Sequence, residues 1–504
     1  MAKKSYSSIL KSSSLIGGSK LVGMVIGVVR TKFAAILIGP AGLGLLSTLM
    51  SIQQMVIALA GLGMSKSAVR DISEARGNED STLLYEIVTV VRRLSLILGI
   101  AGSIIIAFFA GSMSQWMAGD DSATLQIAAL AISVFILLNS GARRAILQGH
   151  RRIAEIAKIE IISVSFGSLL AVIWYVILGK SGVVPAILTL ATVRFSTTWF
   201  YSRKIRIPKQ SIERQRFFEL GRSLLGLGLA MMWNGLLVAG MAYLLRMIVL
   251  KEFDLATVGI YYAAYGISAM VVNFVLNAMT TDYVPRLSEV ASEPARMVQL
   301  ANEQAEVGML MSLPGVVALI VMAPFLIEVL YSAEFLGAVE LTQLFALGCF
   351  SRIFQWPLGY IIIAQKRSAL FAFLQTLFFG TRLGVTILLL PICGLSAVAI
   401  SMLVNAFISY CFIYVVIRKQ ANFRWSAGAM NILLKSVCVV VVLFYFSYYH
   451  SSMVVTISTL AALPLVTSIC IREIYIRTGG HPKMEKIKQY CPRFMSNFLF
   501  PERT

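Results

Sequence analysis

The chain has 504 residues, 58% of them hydrophobic and only 13% charged, with a mean hydropathy of +0.80. That composition lies outside the range of soluble globular domains and excludes a water-soluble enzyme or binding module. The net charge of +20 invites a nucleic-acid reading, but the basic residues gather in short clusters between apolar runs, the pattern of membrane topology determinants and anionic-headgroup contacts.

Since about twenty residues cross the hydrocarbon core, roughly fourteen segments of spanning length follow one another, at 12–38, 43–65, 84–110, 123–145, 156–178, 182–202, 222–250, 257–279, 303–330, 338–363, 368–390, 394–417, 430–449 and 452–472. The expected fold is an all-α polytopic membrane protein. Lys3, Lys4 and Lys11 precede the first segment without a small-residue cleavage site, so that segment reads as a retained helix. With the N-terminus in the cytoplasm, inner segments hold about 32 of the 44 Lys and Arg, and outer loops only about two, Lys180 and Lys251. Both termini are then expected to be cytoplasmic.

A shift of 215 residues superposes several landmarks without a gap. Ala41-Gly42-Leu43-Gly44-Leu45 falls on Ala256-Thr257-Val258-Gly259-Ile260, and Asp71-Ile72-Ser73-Glu74 on Arg286-Leu287-Ser288-Glu289. Arg151-Arg152 meets Lys366-Arg367, and Arg203-Lys204 meets Arg418-Lys419. The shift spans an even number of helices, so the halves share one orientation about an axis along the membrane normal. The expected domains are an N-terminal six-helix lobe at 1–202, a basic cytoplasmic linker at 203–221 and a C-terminal six-helix lobe at 222–419. An extra helix pair at 420–475 and a basic tail at 476–504 complete the chain. Transporters of this plan bind substrate between lobes and alternate their access.

Arg30, Arg194, Arg246, Arg352 and Arg382, with Lys20, interrupt apolar runs. A charge at bilayer depth costs a few kcal/mol at least, so such residues face a watery cavity or a partner, or snorkel to the headgroups. The bias is cationic, which points to an anionic cargo, and guanidinium suits phosphate through bidentate, charge-assisted hydrogen bonds. By the repeat, Arg246 falls within one position of Arg30's counterpart, in the seventh and first segments, while Asn139 falls near the counterpart of Arg352. Arg194 and Arg382 admit a second reading, as groups paired with carbonyls inside a lobe. Gln53, Gln54, Tyr261, Tyr265 and Asn273 suit either sugar hydroxyls or helix-interface bonding.

No Walker motif or Gly-rich phosphate loop is present, and outer loops stay under roughly ten residues, too short to hold a catalytic apparatus. Six scattered cysteines and three histidines outside the apolar cores suggest no disulfide, metal or cofactor site. The chain is therefore expected not to be an enzyme.

Gly39-Pro40-Ala41-Gly42-Leu43-Gly44-Leu45, followed by Gln53-Gln54 and Ala60-Gly61-Leu62-Gly63, resembles the opening of O-antigen flippases of the Wzx type. These are polysaccharide exporters of the multidrug/oligosaccharidyl-lipid/polysaccharide superfamily. The resemblance implies translocation of an undecaprenyl-diphosphate-linked oligosaccharide across the bacterial inner membrane, through a cationic central cavity that holds the diphosphate. It also implies functional charges on the first and seventh helices, matched by Arg30 and Arg246; Arg352 and Lys20 are further cavity candidates from their own place within apolar runs. Membrane lipids, a coupling proton or sodium ion and a polysaccharide polymerase are the expected partners, and since two lobes suffice for one pathway a monomer is the default state. The thirteenth and fourteenth helices are also found in the related lipid II flippases, which keeps that substrate as the alternative. The Arg-Asp pair typical of those proteins' first helix is missing, because Thr31 follows Arg30. A multidrug or cation exporter of the same superfamily would want a buried carboxylate, the opposite sign.

Overall fold

The computed structural model describes residues 2–205, 212–365, 367–449 and 453–477. The basic tail expected at 476–504 therefore lies almost wholly outside the described residues, as do His450, His481, Cys491 and part of the expected linker. The described residues form α-helices joined by tight turns, with no strand. Eleven runs among them are long and apolar enough to cross a membrane. Three of these, at Gly17–Ala60, Ile153–Ser202 and Ser368–Ala421, are 44, 50 and 54 residues long, and each contains two helical segments.

The first run belongs to α1 (Ala2–Ala60), which is broken at Gly39 (φ 64°, ψ −173°) just ahead of Pro40. A positive φ that only glycine adopts cheaply, followed by a residue with no N–H to donate, turns one apolar stretch into two helical segments. Then come α2 (Met64–Gly77), α3 (Ser81–Ala118), α4 (Thr124–Gly149), α5 (Ile153–Leu178) and α6 (Val183–Ser202). They are followed by α7 (Arg214–Glu252), α8 (Leu255–Glu289), α9 (Pro294–Val321) and α10 (Ala323–Leu330). The remainder is α11 (Ala338–Ala364), α12 (Ser368–Cys393), α13 (Ala397–Ala421), α14 (Ala427–Tyr449) and α15 (Met453–Arg477).

Helices extend beyond the apolar segments where an amphipathic face finds a core. The α2 helix, absent from the hydropathy reading, buries Met64, Ala68, Ile72 and Ala75 along one stripe. It docks on the end of α4, where Ile72 fills the space left by Gly149 and Arg76 Nη1 donates to the His150 carbonyl at 2.6 Å. The α7 helix starts at Arg214 rather than at 222, because Phe217, Leu220 and Leu224 join the same core and Arg216 Nε pairs with Glu86 at 3.0 Å. The last eight residues of the expected linker are therefore helical.

Compact packing divides the chain into Met1–Ile260 with Leu330–Glu334, and Tyr261–Val329 with Phe335–Thr504. The first unit includes α7, which packs on α1, α2 and α3.

The duplication is visible in backbone detail. The 26-residue α5 and α12 begin and end 215 positions apart. Their N-caps match in conformation, Arg152 at φ −78°, ψ 60° and Arg367 at φ −88°, ψ 62°. Their C-caps match as well, Gly179 at φ 56°, ψ −131° and Gly394 at φ 54°, ψ −138°, and each leads through a short 3₁₀ turn into the next helix. The buried cores repeat on the same offset: Ala68, Ile72, Ala75 and Ile146 in the first unit correspond to Tyr283, Leu287, Val290 and Ile361 in the second.

Within the first unit, the second half of α1 crosses the start of α8 backbone to backbone. A Cβ on Gly44 would lie 1.9 Å from the Leu255 carbonyl oxygen, and one on Gly259 would lie 2.0 Å from the Pro40 oxygen. Gly44 pairs with Gly259, and Pro40 with Leu255, under the 215-residue shift. The crossing is thus reciprocal, as a local twofold requires.

In the second unit, α14 and α15 are fastened to α9 and α11 by polar bonds. Gln343 Nε2 donates to the Ile320 carbonyl and to Ser447 Oγ, both at 2.9 Å. Asn302 bridges to the Arg424 carbonyl and the Ser426 amide, and Glu306 forms an ion pair with Arg477.

Gly44→Ala and Gly259→Ala are each expected to lower stability by about 1–3 kcal/mol, since backbone must move to admit the methyl group. Gly111→Ala, at a helical site with nothing within 4 Å, should be neutral or mildly stabilising. Unfolding in mixed micelles would check this, and equal midpoints for Gly44→Ala and Gly111→Ala would contradict the close crossing.

Candidate functional site

In the first unit, Arg30 and Arg246 sit on packed helices, α1 and α7. Arg30 is half-buried, on a face that also carries Gly23 and Gly27. A Cβ at Gly27 would meet nothing within 4 Å, whereas one at Gly23 would reach Val164 and Glu160 of α5. That glycine face therefore passes from helix packing into open space as it approaches Arg30, and Thr31 turns its hydroxyl back to the Gly27 carbonyl at 2.9 Å. Arg246 is only 9% exposed, and its Nη1 donates to the Ala242 carbonyl at 2.6 Å. Lys20 is exposed on the same helix as Arg30.

Three carboxylates of the first unit are engaged in ion pairs. Glu86 is paired with Arg216, Glu155 with Arg152 at 3.2 Å, and Glu160 with Arg144 at 2.9 Å. Arg194 lies within electrostatic reach of Glu160 and Arg144, yet its side chain is exposed. Its own carbonyl accepts from the Thr197 and Thr198 hydroxyls. Arg143 stacks over the Phe195 ring, 5.4 Å from its centroid. The first unit thus sets ion pairs at partly exposed positions beside further arginines.

Several sequence candidates turn out to hold helices together instead. Gln53 is buried, and its Nε2 donates to Ser133 Oγ at 2.6 Å, tying α1 to α4. Asn139 is buried between α3 and α4, accepting from Ser95 Oγ at 3.1 Å and donating to the Phe135 carbonyl. Gln54, one position along the same helix, is exposed. In the second unit, Tyr261 and Tyr265 pack with Phe345 in a three-ring cluster with centroids 5.4–6.1 Å apart. Sequence periodicity places a polar residue on a face but does not tell whether a neighbouring helix supplies its partner. Asn273 and Arg352 are exposed, and Arg382 is half-buried.

A pocket of about 400 Å³ in the second unit opens between the ends of α8 and α11, lined by Leu287, Ser288, Tyr360 and Ile363 among others. It holds no charged group. Among the described residues, no cluster of His, Cys, Asp or Glu could hold a metal ion.

Residues 34–340 match the model of a family described as polysaccharide biosynthesis protein. No curated protein sequence matches the chain. Among solved structures, the fold is similar to the lipid II flippase MurJ in an inward closed conformation, with a TM-score of 0.70 at 14% identity over 92% of this chain and 99% of that one. It is also similar to an inward-facing multidrug resistance MATE family transporter of the MOP superfamily, with a TM-score of 0.67 at 16% identity over 79% of this chain and 94% of that one. A MOP superfamily transporter from Pyrococcus furiosus, described as having a binding pocket of reverse polarity, gives 0.59 at 15% identity over 82% and 96%.

Gln53→Ala and Asn139→Ala are expected to lower stability by about 1 kcal/mol each, the worth of one intramembrane hydrogen bond. Unchanged unfolding midpoints for both would return these side chains to the list of cavity groups.

Proposed function

The chain belongs to the polysaccharide biosynthesis protein family, residues 34–340 matching its model, and from that we propose that it is a flippase for undecaprenyl-diphosphate-linked oligosaccharide repeat units. It carries O-antigen or exopolysaccharide units across the bacterial inner membrane by alternating access through a cationic cavity, with both termini in the cytoplasm. The observation that carries this reading is that Arg30 and the deeply buried Arg246 interrupt apolar runs on two helices, α1 and α7, that pack on each other within one unit. Arginines kept within apolar helices favour an anionic cargo over a cationic one, and a diphosphate offers the oxygen pairs that guanidinium binds.

The sugar end of the substrate is polar but uncharged in its hydrogen-bonding requirement, and exposed Gln54 and Asn273 suit it better than buried Gln53 or Asn139. Transport of this kind forms and breaks no covalent bond, so the chain acts as a carrier with no cofactor. A proton or sodium ion is the proposed coupling partner, and a polysaccharide polymerase the proposed consumer of the product. A lipid II flippase is the second reading, favoured by the MurJ likeness that covers 92% of this chain. A cation exporter needs the opposite interior sign.

Deleting the gene from its source bacterium should build up lipid-linked oligosaccharide on the cytoplasmic side and remove surface polysaccharide. Accumulated lipid II would select the second reading, and normal polysaccharide with no accumulated lipid would refute transport of either cargo. In the same strain, Arg30→Ala and Arg246→Ala should abolish rescue at normal membrane levels, and Arg→Lys should restore it only in part because bidentate geometry is lost. Full rescue by both alanine variants would remove these arginines from the site.

A further inference from the structure

The second unit contains a polar layer, deep among helices, that its own residues leave unsatisfied. On α12, Thr386 Oγ1 donates to Ser401 Oγ of α13 at 2.8 Å. The two helices form an antiparallel hairpin. One turn back along α12 and one turn on along α13 from that bond, the register sets Arg382 opposite Asn405. Arg382 Nε and Nη2 are buried without a hydrogen-bond partner, and so is Asn405 Oδ1. One turn further along α13, Ser409 Oγ donates to Gln355 Oε1 of α11 at 3.1 Å, which brings α11 to the same depth. Arg352 lies on α11 at that depth, and it and Arg382 both act electrostatically on buried Cys349. Among α11, α12 and α13 the carboxylate is Glu340, in the first turn of α11, and it is held by Ser396 and Tyr448.

The duplicated first unit supplies an internal control. The residues 215 positions earlier are Ala171 and Ala186 in place of Thr386 and Ser401, and Gly167 and Leu190 in place of Arg382 and Asn405. The register is the same, since a Cβ on Gly167 would meet Leu190 Cδ2 at 3.0 Å, and Ala171 and Ala186 are fully buried. The same helix hairpin therefore closes with an apolar layer. The fold does not need an arginine there, and two unsatisfied guanidinium N–H groups in a membrane interior are expensive unless something else accepts from them.

We infer that Arg382 and Arg352, with Asn405 and Gln355, form a second oxyanion subsite inside the C-terminal unit, for a phosphate-type headgroup. The inference rests on the proposed transport of a diphosphate-linked substrate, and it adds a station for that headgroup besides Arg30 and Arg246. The half-buried Arg382 guanidinium has a fork of N–H groups for two oxygens, the Asn405 amide adds a donor through its Nδ2, and Arg352 brings the second positive charge. The headgroup belongs either to the lipid-linked substrate or to an anionic membrane phospholipid.

The test is binding, not transport, with full-length protein in nanodiscs. Inorganic diphosphate is titrated by calorimetry, and retained phosphatidylglycerol is read by native mass spectrometry. Both are done in an Arg30→Ala/Arg246→Ala background, which removes the first station. Arg382→Gly/Asn405→Leu installs the pair that the first unit already accommodates. Asn405→Asp keeps the volume but places a carboxylate beside Arg382. Each is expected to weaken diphosphate binding by about tenfold or more, and Arg382→Lys to weaken it less. Loss of phosphatidylglycerol alone would keep the site and assign it to membrane lipid. Unchanged binding of both anions by either variant, in protein that unfolds at its normal temperature, overturns the inference. The reading of Arg30 and Arg246 would be untouched by that result, just as a failure of polysaccharide transport would leave this binding result standing.

Discussion

The reciprocal crossing of Gly44 and Gly259 is the contact on which the rest of the first unit is hung. Lipid tails are as apolar as leucine, so membrane helices gain little from apolar burial against one another and depend on close backbone approach. Here the approach is so close that each glycine's missing side chain is occupied by a carbonyl oxygen of the other helix. The contact fixes the second half of α1 against the start of α8. The Gly39 break then frees the first half of α1 to take its own direction, and that half carries Lys20, Arg30 and the glycine face. A close crossing on one side of the Gly39 break and a cationic, glycine-rich segment packed on α5 on the other place the charges outside the backbone-to-backbone contact.

Hydropathy and the 215-residue offset carry the all-helical membrane fold in the sequence itself. Apolar length gives spans because a bilayer forces every backbone group to be satisfied within its own helix. The repeat was legible in Gly44 and Gly259, and in Ile72 and Leu287, because positions that meet backbone or core tolerate little drift. The α2 helix was also legible in principle, in the spacing of Met64, Ala68, Ile72 and Ala75, but a hydropathy window passes over an amphipathic helix of 14 residues. The helical start of α7 escaped for the same reason.

The site was less legible, and for a physical reason. Gln53 and Asn139 have the residue types that bind sugars, yet Ser133 and Ser95 claim them. A polar side chain in a membrane helix will take the nearest partner because the alternative is an unmet donor in hydrocarbon. Whether that partner is a neighbouring serine or a passing ligand depends on helix rotation, which sequence order does not encode. The arginines were more readable because their cost is larger. Arg246 needed the structure only to show that it is buried, and Arg382 only to show that its N–H groups go unmet.

A duplicated fold separates what the architecture demands from what it merely allows. Where both copies keep the same device, as at the positive-φ caps Gly179 and Gly394, the backbone requires it and selection on function need not be invoked. Where the copies part, the backbone has been shown to close either way. Glycine against leucine and arginine against asparagine fill the same hairpin layer in the two units, and the second choice adds a charge at a depth where charge costs a few kcal/mol. Drift alone would be expected to remove such a residue, since the apolar solution is already present in the same chain. In the inferred subsite, an interaction outside the packed helices offsets that cost. For a guanidinium with open N–H groups and no spare carboxylate on α11, α12 or α13, the partner we infer is an anion.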